Sequence, residues 1–333
     1  MSKTYHSIYA PYIEELIAVK RNMGFKYTYV ESVFSDFDQF ILQNYNEAIG
    51  ITKVISEQWC KRRENESAST HYHRCILLNS FSSFLSKRGI PSYIIKLPIL
   101  RNNFVPYIFT HEEIAKLFWA CDNYQSGNND LRSSIIVMPA LMRTLYATGM
   151  RISEAVSLNN KDINLKEDYC ILRDTKNGED RLIPFDTTLS TVLKEYVIKR
   201  DKLPIRISLD SPFFVTLKGS RCNKDSIYRR FRKILQFAGI PKNNIRLHDL
   251  RHTFAVHSLA KMVESGMDLY CALPILSTYL GHKSYQATNN YVRLTEDIYP
   301  NLLEKVDAIC FNVFPKICLL YTSPSPRDMR RSR

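Results

Sequence analysis

The sequence predicts a mostly helical α+β protein of two domains, and three observations carry that expectation. Apolar residues recur at helical spacing through residues 1–95 and again from residue 110 onward. A single segment carries a hairpin signal, Lys176-Asn177-Gly178-Glu179, set between two short strand-like runs. Residues 96–109, which join the two helical stretches, lack helical period and hold Pro98 and Pro106, so they read as an extended linker.

Ile13, Leu16 and Ile17 form the first apolar stripe, which Gly24 ends. Val30, Val33, Phe34, Phe37 and Ile41 form the second. A third helix is expected to start at Thr52, carrying Ile55 and Trp59 inward and leaving Lys61, Arg62 and Arg63 at its end. A fourth runs from about Ser69 to Arg88 and stops at Gly89-Ile90-Pro91. Beyond the linker, Thr110-His-Glu-Glu113 has the spacing of a capping box, and a second domain starts there, expected to cover 110–317. Within it, residues 168–174 and 181–185 read as the strands, and helices are expected at about 187–201, 224–238, 248–264 and 297–309. No internal repeat is visible.

Apolar residues make up 45% and charged residues 24%, ordinary for a globular chain. No apolar run approaches the roughly 20 residues that span a bilayer, and the N-terminus lacks a signal pattern, so a cytoplasmic protein without a membrane partner is expected. The formal charge of +13 favours a polyanionic partner, nucleic acid or an acidic surface, and it is dispersed over folded segments. Residues 1–105 hold 13 basic and 9 acidic side chains, the basic ones gathered near the ends of the third and fourth helices. Eight cysteines stand without C-x-x-C pairs or zinc-finger spacing; reduced thiols are expected, and no metal site.

Three dispersed segments stand out together. In Ala147-Thr-Gly-Met-Arg151-Ile-Ser-Glu154 an arginine follows a glycine turn at the start of a helix. His248-Asp-Leu-Arg251-His252 places His248 and Arg251 one helical turn apart. Leu280-Gly-His282 precedes Tyr291 by nine residues. Taken in this order, the segments resemble the tyrosine recombinases, or phage-integrase family. Lys176, followed by Arg181 and Ile183-Pro184, matches that family's β-hairpin lysine. The likeness is specific over about 110–309; residues 1–95 are similar only loosely to the family's helical, SAM-like core-binding domain. Arg293 stands where many relatives carry a histidine.

The residue types suit the chemistry. Attack on a phosphodiester builds negative charge on the non-bridging oxygens, and the guanidiniums of Arg151 and Arg251 can clamp it without a metal. Tyr291 must lose a proton as it attacks; His248 can act as acid or base, and His282 can donate to a phosphate oxygen. A lysine on a hairpin tip, Lys176, can protonate the leaving 5′-oxygen. A phosphotyrosine keeps the energy of the broken bond, so no cofactor is expected and no nucleotide-binding loop occurs. Taken singly each residue is bland: Arg151 a surface ion-pair former, His248 a helix-start residue, Lys176 a turn lysine, Tyr291 one of 20 tyrosines. The ordered set is what points to the chemistry.

The resemblance implies a clamp of two domains on a duplex recombination site, a homotetramer in the synaptic complex, and room for accessory recombination proteins. Lys61, Arg62 and Arg63 are either a DNA-contacting edge or a solvated helix end. Leu273–Leu280 and Asn290–Thr295 look most like recombinases encoded by transposons and other mobile elements. Two alternatives stay open: a type IB topoisomerase, and a DNA-binding remnant that does not cut. The target sequence and the choice among integration, excision, transposition and dimer resolution are not legible. The last stretch, 318–333, reads as a translated sequencing adapter, Pro- and Ser-rich and expected to be disordered, with the native chain cut near Ile317.

Overall fold

A computed structural model describes residues 3–45, 50–100, 104–125, 133–173, 175, 180–241, 245–282 and 285–299. The expected tail at 318–333 and the hairpin turn with Lys176 lie outside the described residues. Two compact units divide between Phe104 and Val105.

The first unit holds helices α1 (Ala10–Asn22), α2 (Thr28–Asn44), α3 (Lys53–Trp59) and α4 (Ala68–Ser86). The stripes read from the sequence face its core: Ile13, Leu16, Ile17, Phe34, Phe37 and Ile41 are all buried. Thr52 caps α3, its hydroxyl accepting from the Ile55 N–H. Helix α4 starts one residue earlier than expected, because the Ser67 hydroxyl accepts from the Thr70 N–H and makes Ser67 the cap. The centre is aromatic. Phe37 meets Trp59 edge-on at 5.2 Å and Phe81 edge-on at 6.1 Å, a geometry the ring quadrupoles favour.

The second unit opens on α5 (His111–Asn123), whose start is the capping box expected at Thr110: the Thr110 hydroxyl accepts from Glu113 N–H and the Glu113 carboxylate from Thr110 N–H. Helices α6 (Met138–Thr148) and α7 (Ile152–Ser157) lead into an antiparallel sheet of β1 (Ile163–Asn164), β2 (Tyr169–Leu172) and β3 (Arg181–Pro184) in that order. Cys170 pairs with Ile183, and both are buried with Leu172 on the inner face. Strand β1, two residues long, is too short to leave a pattern in the sequence. Then follow α8 (Thr187–Arg200), α9 (Lys224–Phe237), α10 (Asp249–Glu264), α11 (Leu269–Leu280) and α12 (Tyr285–Ile298).

Helix α10 is the hub: it packs against α6, α11 and α12, burying Leu250, Ala255, Val256 and Leu259. The helix expected at 297–309 falls almost wholly outside the described residues. The last described helix is α12, ending at Ile298. The Asn- and Thr-rich run before Tyr291 has weak helix propensity, and burial of Thr288, Tyr291 and Thr295 overrides it. No described helix is long and apolar enough to cross a membrane.

Candidate active site

Helix α6 ends on Gly149, whose φ of +59° is left-handed; a Cβ there would also sit 2.3 Å from the Phe254 ring. This tight exit turns the Gly149 carbonyl toward α10, where it accepts from Arg251 Nη1 at 2.7 Å. Two residues later Arg151 is the N-cap of α7. The Glu154 carboxylate accepts from the Arg151 backbone N–H at 2.8 Å and from its guanidinium at 2.7 Å, fixing the arginine to the helix start.

Arg251 is 3% exposed. Its Nη2 donates to the Leu280 carbonyl at 2.7 Å and lies 3.1 Å from His282 Nε2. The Leu280-Gly281-His282 turn at the end of α11 is held from the other side by Arg181 of β3, whose Nη1 donates to the same carbonyl at 2.7 Å. A Cβ on Gly281 would fall 1.8 Å from that nitrogen, so only glycine lets the arginine approach. Arg181 also pairs with Glu154 at 3.4 Å. Three arginines from α7, β3 and α10 thus converge around one carboxylate.

Tyr291 of α12 is buried, and its hydroxyl lies 3.0 Å from His252 Nδ1. The His282 ring is nearly parallel to it at 6.1 Å, and His282 Nδ1 pairs with the Thr288 hydroxyl at 2.9 Å. His248, at the start of α10, meets the His252 ring edge-on at 4.9 Å.

Burial and mutual repulsion dominate the electrostatics. Burial, then the nearby Arg151, lowers the Arg251 guanidinium to about 10. Arg181 is lowered by burial and by Arg151, against the pull of Glu154. His248 is pushed down to about 4 by burial and by Arg251, Arg246 and Arg151; His282 falls to about 4 by burial and by Arg251, Arg151 and Arg181. Both rings are therefore neutral near pH 7. A guanidinium only donates, so His282 Nε2 is the acceptor from Arg251 and its Nδ1–H donates to Thr288. Burial raises the Tyr291 phenol, against the opposing pull of Arg251 and Arg151. The site is a cationic, desolvated cradle that an anion would complete.

The structure brings five of the six expected catalytic residues together: Arg151, His248, Arg251, His282 and Tyr291. Lys176 lies outside the described residues, though the strand that follows it, β3, contributes Arg181 to the cradle. Glu154, Arg181 and His252 carry parts of the site that the sequence did not assign to them. Signals existed for each. Glu154 stands three residues after Arg151, at capping-box spacing. Arg181 alternates with buried Ile183, and His252 stands one turn beyond His248.

Lys61, Arg62 and Arg63 are exposed in the connection that follows α3 in the first unit. Arg62 donates to the Glu66 carbonyl, and the Arg63 guanidinium lies 5.2 Å from the Trp59 ring centre. With Asp36, Gln39 and Gln43 of α2 they line an open cavity of about 580 Å³.

The profile of the phage integrase family matches residues 108–297, more than half of the chain. The chain belongs to this family. It is a tyrosine-type site-specific recombinase. The putative integrase/recombinase y4rB of Sinorhizobium fredii is 26% identical to the recombinase over 304 residues, covering 89% of this chain and 96% of the relative. The tyrosine recombinase XerC of Roseiflexus castenholzii is 30% identical over 71% of each chain. Among solved structures, the Tn1549 transposon integrase in complex with transposon right-end DNA superposes with a TM-score of 0.62 at 17% identity, over 86% of this chain and 99% of that one. XerH bound to its palindromic difH substrate gives 0.59 at 22% identity, over 84% and 79%. At these identities the two structures establish the fold that the recombinase shares.

Proposed function

We propose that Tyr291 is the nucleophile and that Arg151 and Arg251 clamp the scissile phosphate of a duplex recombination site. The observation that carries this reading is the convergence of a buried tyrosine hydroxyl with guanidiniums that have carbonyl oxygens, and a single carboxylate, for counter-charge. A phosphate entering the cradle would replace the carbonyls as partner, and charge-assisted bonds to it strengthen as the transition state gains negative charge.

Tyr291 Oη attacks phosphorus, the bond to the 5′-oxygen breaks, and a 3′-phosphotyrosine and a 5′-hydroxyl result. Once Arg251 turns to the phosphate, His282 Nε2 is free to bind a proton and donate to a non-bridging oxygen. His248 serves as acid or base. Lys176 protonates the leaving 5′-oxygen. Lys61, Arg62 and Arg63 contact phosphates away from the cut site, so both units bind the duplex. Exchange of two duplexes takes four protomers, hence a homotetramer in synapsis, with accessory proteins where the target requires them. The solved relative from a transposon, and the likeness of Leu273–Leu280, support a mobile-element setting.

Incubating the wild type and Tyr291→Phe with a nicked suicide duplex tests the assignment. A covalent protein–DNA band on a denaturing gel is expected for the wild type alone; a band that persists in the variant refutes it.

A further inference from the structure

The Tyr291 hydroxyl cannot attack phosphorus while it keeps its proton, and the residues around it narrow down where that proton goes. Arg251 and Arg151 are donors and can take none. His282 stacks on the Tyr291 ring at 6.1 Å, with its Nδ1 on Thr288 and its Nε2 directed to Arg251 and, once that arginine turns away, to the phosphate rather than to the phenol. His248 faces the edge of the His252 ring. Among the described residues, the acceptor at hydrogen-bond distance from the phenol is His252, whose Nδ1 lies 3.0 Å away, with the ring centres 5.7 Å apart.

We propose that His252 is a catalytic residue of the recombinase that takes the proton from Tyr291 as the nucleophile attacks. The inference rests on the assignment of Tyr291 made above. In the forward step the Oη–phosphorus bond forms, the bond from phosphorus to the 5′-oxygen breaks, the phenol proton passes to His252 Nδ1, and the leaving oxygen is protonated from Lys176. In religation the 5′-hydroxyl attacks phosphorus, Tyr291 Oη leaves, and His252 returns the same proton to it. One ring thus acts as base for cleavage and acid for rejoining, as microscopic reversibility requires.

The resting state suits that role. Burial, with His248, Arg246 and Arg251 around it, pushes the His252 imidazole down to about 3, so it is neutral, and in the tautomer with its proton on Nε2 the Nδ1 lone pair faces the phenol. The scissile phosphate brings negative charge beside those cations, which favours the imidazolium at the stage where the proton must be held. Position 252 is one helical turn from His248, so α10 delivers both rings to the same face. Its neighbour on the other side, Arg251, fixes the phosphate end of the same path.

Two substitutions in the full chain separate proton transfer from mere positioning. His252→Asn places an amide oxygen where Nδ1 stood, able to accept the hydrogen bond but not to keep the proton. His252→Ala removes the acceptor altogether. Single-turnover cleavage of a nicked suicide duplex should fall about 100-fold in both, the low end for loss of a general base. Duplex affinity and melting temperature, measured alongside, should match the wild type for the Asn variant. A 5′-phosphorothiolate duplex, whose sulfur leaves without an acid, should not restore either. If the Asn variant cleaves at the wild-type rate while Ala is slow, His252 only orients the phenol and the proposal is overturned. It is equally overturned if both variants are fast, or if the sulfur substrate restores them, which would move His252 to the leaving-group side. Tyr291→Phe runs in parallel. A covalent band in that lane overturns the nucleophile assignment itself, an outcome distinct from failure at His252.

Discussion

Arg74 in the first unit and Arg251 in the second are buried to nearly the same degree, 4% and 3% exposed. Arg74 owns its counter-charge: Nε and Nη2 donate to the two oxygens of Glu66 at 2.8 and 2.7 Å, Nη2 also reaches the Lys61 carbonyl, and Glu66 is held down to about 2, chiefly by Arg74. Arg251 donates to carbonyl oxygens and a neutral histidine, while the nearby carboxylate of Glu154 is already shared by Arg151 and Arg181. The first arrangement neutralises its own charge with a carboxylate and serves the fold. The second holds excess positive charge out of water, a cost that folding tolerates where an anion is to be received.

Substitutions should split the two arginines. Arg74→Met strands a buried Glu66 carboxylate, and chemical denaturation should show a loss of about 3–5 kcal/mol. Arg251→Gln removes a cation with no carboxylate of its own. Its cleavage rate should drop by about 10²–10³, the usual consequence of losing one transition-state donor, while its denaturation midpoint stays close to wild type. If Arg251→Gln unfolds as readily as Arg74→Met, the distinction between the two sites is wrong.

Acid should sharpen the same contrast. His248, His252 and His282 are pushed down to about 4, 3 and 4, and His257 to about 4 by burial and His111, against about 6.5 in an unfolded chain. All four lie in the second unit. A depressed folded value means the unfolded chain binds protons first. The stability these rings contribute is therefore fully present above about pH 6.5 and is lost as pH falls toward about 4. Melting temperature should decline over that window, and His248→Gln with His282→Gln together should flatten the decline. An unaltered slope in the double variant would show that the cradle histidines are not the cause.

The smallest effect belongs to the exposed cluster of the first unit. Replacing Lys61, Arg62 and Arg63 by alanine should reduce the slope of log affinity against log salt by about 0.9 for each phosphate that is no longer neutralised. A slope equal to wild type would return these residues to an ordinary solvated loop, held by Glu66 and Trp59.

What could be read from the residues follows from how each feature is encoded. The stripes of α1 and α2, the cap at Thr110 and the strands around the hairpin are local patterns, and the chain shows them where the patterns lie. Arg151, His248, Arg251, His282 and Tyr291 were legible because each sits in a short segment of fixed spacing. Helices α11 and α12 were not. Pro274 interrupts the first, and the second has weak formers before Tyr291 that only packing against α10 makes helical. Glu154, Arg181 and His252 escaped for a third reason. Their local signals, capping-box spacing, strand alternation and a one-turn offset, take on meaning only where α7, β3 and α10 meet at the Leu280 turn, and that meeting is a matter of tertiary structure.

The central claim is that the cradle exists to carry a phosphate to Tyr291, and locating the covalent bond tests it most directly. After cleavage of a nicked suicide duplex, trypsin should release the peptide between Lys283 and Arg293, which holds both Tyr285 and Tyr291. Fragmentation of the nuclease-trimmed adduct by mass spectrometry should place the nucleotide on Tyr291. A nucleotide on Tyr285, or on a tyrosine of any other peptide, would contradict the account.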